Sequence, residues 1–92
     1  MLSIITPIPG DAPTSFSLYK HFKGHFAVVI EVAVHTETGD LLVMYQEHGD
    51  DKGNTPGRIF ARPLEMFNDS HSSGVKRFTF IRQLSAPPEF SQ

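Results

Sequence analysis

The chain has 92 residues, no cysteine and a formal charge of −2, which sets one small domain as the expectation. Without cysteine there are no disulfides, thiolate metal sites or cysteine nucleophiles. The near-neutral balance lacks the global basic footprint of a nucleic-acid-binding protein. No run approaches the ~18 apolar residues of a membrane span. The opening MLSIITPIPGD has no basic stretch, and Pro7 and Pro9 break its apolar run. It does not read as a signal peptide, and a soluble cytoplasmic protein is expected.

Residues 1–15 carry Pro7, Pro9, Gly10 and Pro13, which make a poor helix and a poor central strand. They read as an extended arm, and Leu2, Ile4, Ile5 and Ile8 make it apolar enough to lie on its own chain or on a neighbour. Residues 16–23 form a short first strand, closed by a turn at Gly24. The central stretch is 26–45, where two apolar runs flank Thr36-Glu37-Thr38-Gly39-Asp40, the pattern of a β-hairpin. Period-two alternation in its first arm puts Phe26, Val28, Ile30, Val32 and Val34 on the expected core face. Ala27, Val29, Glu31, Ala33 and His35 fall on the other. The second arm, 41–45, is apolar on both faces.

Residues 48–57, HGDDKGNTPG, are a polar loop, expected as a mobile tip. A short strand at 58–61 follows. Arg62 is extended before Pro63, and Pro63-Leu64-Glu65-Met66-Phe67 gives one helical turn with Leu64 and Phe67 inward. After a polar turn at 69–74, residues 75–84 form the last strand, with Phe78 and Phe80 on one face. Residues 85–92 are a proline-containing tail expected to fray, with Phe90 as the candidate to dock. The sum is mostly β: a small SH3-like five-stranded antiparallel barrel over 16–84, with one short helical turn before the last strand. The expected core is Phe26, Val28, Ile30, Val32, Val43, Phe60, Leu64, Phe67, Phe78 and Phe80.

Two blocks, YKHFKGHFAVVIEVAVHTETGDLLVMYQ and RPLEMF, resemble those of the domain of unknown function 1653 family of small bacterial proteins. They cover roughly residues 19–67, and VKRFTFI fits that family's closing segment more loosely. The longer polar loop after Glu47-His48 and the proline-rich arm depart from the pattern. The resemblance implies the fold and leaves the biochemical role unassigned.

The polar residues that stand out are His21, Lys23, His35, Tyr45, Arg62 and Glu65, at strand ends or beside the helical turn. Their plain role is structural, with Arg62 and Glu65 bracing the turn as an ion pair. Their sharper role is a shallow groove for an anionic or peptide ligand, since the arginine fork suits carboxylate or phosphate. The five histidines show no metal-ligand spacing, and no metal or cofactor is expected. Asp69, Ser70 and His71 assemble a triad only on paper, and the phosphate-loop, nucleophile-elbow and zincin motifs are missing. The expectation is therefore a non-catalytic binding module for a peptide or protein partner, as a monomer or homodimer. The alternative is RNA or single-stranded DNA binding through a local basic face of Arg58, Arg62, Lys76, Arg77 and Arg82.

Overall fold

A computed structural model describes residues 8–50, 56–70 and 74–85. Leu2, Ile4 and Ile5 of the arm, the loop tip at 51–55, the turn at His71 and the tail with Phe90 lie outside the described residues. The elements are β1 (Ser17–His21), β2 (Phe26–Val34), β3 (Leu41–His48), β4 (Pro56–Pro63), α1 (Leu64–Phe67) and β5 (Phe78–Gln83). They make one antiparallel sheet in the order β4-β3-β2-β1-β5.

Local chemistry explains the turns. Gly24 and Gly39 both have positive φ, at 107° and 78°, which a side chain would resist. Gly39 N–H donates to the His35 carbonyl at 2.9 Å, and His35 N–H donates to the Asp40 carbonyl at 2.7 Å, closing the β2–β3 hairpin. Pro63 sits just before α1 with φ −53° and ψ 138°, the extended form that starts a helix without a side-chain cap. The helix stops at Asn68 after a single turn, as expected.

Five antiparallel strands and the helical turn agree with expectation, but the sheet is not closed. β4 and β5 are the two ends of the strand order, and no ladder joins them among the described residues. The sheet nevertheless curls. Arg62 on β4 and Phe78 on β5 stand four strand spacings apart, roughly 19 Å in a flat sheet. Their side chains meet, with the guanidinium carbon 5.7 Å from the ring centroid. Phe67 of α1 occupies the trough this curl makes. It stacks on Phe78 at 4.2 Å and lies 5.1 Å from Tyr19 and 5.8 Å from Tyr45. Side chains in the trough, in place of a ladder, hold the two ends together.

This trough decides the core, and it corrects the expected face of β2. Ala27 and Val29 line it with Val43, Tyr45, Leu64, Phe67 and Phe78. Small residues belong there because the rings of Tyr19, Phe67 and Phe78 already fill the space. Val28 is fully buried too, but on the opposite face, paired with Leu18. Pairing jumps from Val29–Tyr45 to Glu31–Met44, so Ile30 is a bulge that resets the alternation. Beyond it Val32 packs on the core, while Val34 is 45% exposed. Phe26, Ile30 and Val32 are half-buried. Phe60 at 42% and Phe80 at 54% exposure are not core residues: they sit at the rim of the trough, Phe60 beside Tyr45 and Phe80 beside Tyr19. Val43, Leu64, Phe67 and Phe78 are buried as expected.

The described part of the arm packs on its own chain. Ala12 rests against the core and Pro13 is buried. Asn68 Nδ2 donates to the Asp11 carbonyl at 3.2 Å, and Gln83 Nε2 donates to the Ser15 carbonyl at 2.7 Å.

Candidate functional site

A groove of about 380 Å³ opens at the end of the trough where β1 runs into β2. One wall is the β1–β2 turn with His21, Phe22, Lys23 and His25. The other is built by Tyr45 and Glu47 of β3 and by Phe60 and Arg62 of β4, with Arg77 entering from just before β5. Phe22 N–H donates to the Arg77 carbonyl at 3.0 Å, which ties the turn wall to the segment just before β5.

His21 anchors this wall. Its ring stacks on His25 at 4.5 Å and 9°, and meets Phe78 edge-on at 4.9 Å. The Lys23 backbone N–H donates to His21 Nδ1 at 3.1 Å, so in the neutral ring the proton sits on Nε2. Burial pushes the His21 pKa down to about 4, helped by the positive charges of His25, Arg62, Lys23 and Arg77. His21 is therefore neutral at pH 7 and has cations around it.

The charges differ in how they are held. His25 Nε2 pairs with Glu47 Oε2 at 3.2 Å, with both side chains well exposed. Arg77 Nε donates to Asp69 Oδ1 at 2.9 Å. Arg62 is half-buried and lies over Phe78, and its Nε points to the Tyr45 hydroxyl at 3.4 Å. It has no carboxylate partner among the described residues. Lys23 is exposed, with its ammonium 5.9 Å from the Phe22 ring.

Four of the six residues singled out in the sequence therefore come together: His21, Lys23, Tyr45 and Arg62. His35 and Glu65 do not. His35 serves the β2–β3 turn, where its Nδ1 accepts from the N–H groups of Glu37 and Thr38 at 3.0 and 3.2 Å. Glu65 lines a second hollow of about 350 Å³ with Asp40 and Leu41, at the far end of the sheet. The expected Arg62–Glu65 ion pair is not made among the described residues, since the two side chains serve different hollows. Sequence reasoning missed Phe22, His25, Glu47 and Phe60. The density of rings and cations in HFKGH was the signal for the first two. Nothing local marked Glu47 or Phe60, which strand register brings across from β3 and β4.

Asp69, of the paper triad, is engaged by Arg77, Ser70 is exposed and His71 lies outside the described residues. Among the described residues no three His, Cys, Asp or Glu side chains converge as metal ligands, and no helix is long and apolar enough to cross a membrane.

The family model described as Protein of unknown function (DUF1653) matches residues 17–80, more than two thirds of the chain. The chain belongs to this family. The match runs from the first residue of β1 into β5, so the DUF1653 segment contains the whole groove. No curated protein and no solved structure matches the chain.

Proposed function

We propose that this DUF1653 protein is a non-catalytic cytoplasmic binding module whose groove takes an anionic segment of a protein partner. Arg62 carries the reading. A half-buried cation positioned by Phe78 and Tyr45, with no carboxylate partner among the described residues, is prepared for an external anion. Lys23 adds charge at the rim, and Phe22, Tyr45 and Phe60 give the groove apolar walls. Five antiparallel strands with a helical turn before the last support an SH3-like reading, in which small barrels grip extended segments beside an edge strand or an aromatic groove.

Titration of isotope-labelled protein with an end-capped acidic peptide, glutamates around one tyrosine, tests this. Amide shifts should gather at residues 21–25, Glu47, Phe60 and Arg62, and Arg62→Ala should remove them. Shifts that are absent, or that survive in Arg62→Ala, count against the reading.

The exposure of Phe60 and Phe80 favours a second reading, single-stranded nucleic acid stacked on these rings. The basic residues support it less well. Arg58 and Arg62 lie on β4, while Lys76, Arg77 and Arg82 lie on or beside β5 at the other end of the strand order, and only Arg62 and Arg77 reach the groove. Salt-sensitive retention of oligouridylate that Phe80→Ala weakens would favour it over the peptide reading.

A further inference from the structure

We infer that the anion seated in this groove is a phosphate monoester on an aromatic stem, presented by an extended polypeptide that lies along β4. The inference rests on the anion-groove reading above and narrows it to one chemical class.

The donors argue for the phosphoryl group. Arg62 spends Nε on the Tyr45 hydroxyl, and its terminal nitrogens are the part of the fork left for a ligand. His21 holds its proton on Nε2 because Nδ1 accepts the Lys23 N–H. Lys23 brings an exposed ammonium from the turn. Arg62 stands on the β4 wall while His21 and Lys23 stand on the turn wall, so the donors face the groove from its two sides. A planar carboxylate is satisfied by one arginine fork. A phosphoryl group has three tetrahedrally disposed acceptor oxygens and up to two negative charges, which suits donors arriving from two sides. Glu47, the carboxylate of the groove, is held against His25.

The walls argue for the stem. Tyr45 and Phe60 lie 5.9 Å apart between ring centroids, and Phe22 faces them across the groove. At about 380 Å³ the hollow is in the range of small-ligand sites and larger than a bare anion needs. The edge argues for a polypeptide. Among the described residues β4 pairs only with β3, and residues 57–61 are exposed beside the groove. An unpaired strand edge is a template for an added extended segment.

The test is calorimetric titration of the full chain near neutral pH with phenyl phosphate, phenylmalonate and benzoate. Phenylmalonate carries a dianion as two separate carboxylates, so it separates charge from shape. Phenyl phosphate should bind at least about tenfold more tightly than either carboxylate. Lys23→Gln, at an exposed position, should weaken phenyl phosphate severalfold with melting unchanged, and Arg62→Lys should remove most of the binding. A tyrosine-phosphorylated peptide should bind more tightly than phenyl phosphate and shift amides along β4. Equal binding of the carboxylates overturns the phosphoryl assignment while leaving the anion groove in place. No binding of any probe overturns both. A peptide no tighter than phenyl phosphate, or adenosine monophosphate tighter than phenyl phosphate, overturns presentation by a polypeptide.

Discussion

His48 is wholly enclosed, and neither of its ring nitrogens has a hydrogen-bond partner among the described residues. Gln46, two residues earlier on the same face, has its Oε1 in the same condition, while its Nε2 donates to the Gly57 carbonyl at 3.2 Å. Burial pushes the His48 pKa down, against a smaller upward pull from Asp50. His21 is pushed down to about 4, also by burial first. Both imidazoles bind a proton more readily in the unfolded chain, where the ordinary value is about 6.5. Their contribution to stability is therefore complete above that value. It is lost as pH falls below it, and for His21 the loss continues down to about 4. Urea unfolding at about pH 7.5 and about pH 5 should show a lower midpoint at the acid value. His48→Leu should cost little at the higher pH and shrink the difference between the two, because an apolar side chain leaves no orphaned nitrogens. A difference of the same size in His48→Leu would place the acid sensitivity elsewhere. The residues of the groove were legible to the extent that sequence neighbours stay neighbours: His21 and Lys23 share one turn. Arg62 and Tyr45 were legible as types, since an arginine fork and a phenol invite a polar role. His25–Glu47 was not, because a contact from the β1–β2 turn to β3 depends on a register that alternation alone does not fix.

The strands and the single helical turn followed from β-branched runs, glycine turns and Pro63. The inward face of β2 did not, because a bulge at Ile30 exchanges faces halfway along the strand and leaves no mark in composition. Ring burial was misjudged for a related reason. Phe78 and Phe80 alternate identically in sequence, yet Phe78 is buried under Phe67 while Phe80 touches Tyr19 at 5.6 Å and is otherwise open. Phe67→Ala should thus cost on the order of 3–5 kcal/mol, and Phe80→Ala under about 1 kcal/mol. Denaturant titration of the two variants checks this, and equal losses would contradict the curled trough. The β2–β3 turn has its own requirement. Gly39→Ala places a side chain at φ 78° with open space around it, so its cost is backbone strain alone, on the order of 1 kcal/mol in the same assay.

At the scale of the molecule, the described arm belongs to the fold. Asp11 to Asn68 and Ser15 to Gln83 are contacts between the segment before β1 and distant parts of the chain, and Phe16 N–H donates to the Val29 carbonyl at 2.6 Å. Removing residues 1–15 should therefore lower the melting temperature by several degrees, as expected for a loss of about 1 kcal/mol or more in a domain this small. An unchanged melting temperature would mean that these contacts contribute nothing net. The sheet order carries a different consequence. β1 and β5 lie side by side and antiparallel, with Ser17 opposite Gln83, so the two points where the chain leaves the sheet sit at the same end of the same pair of strands. A pull on those two points loads the β1–β5 bonds in succession, from Ser17–Gln83 toward His21–Phe78, and never all together. Under tension the domain opens as a zipper, at low force, and β5 leaves first. Once it has gone, Phe78 no longer supports Arg62 and Arg77 no longer borders the groove. A ligand bound there would be released when its host is stretched.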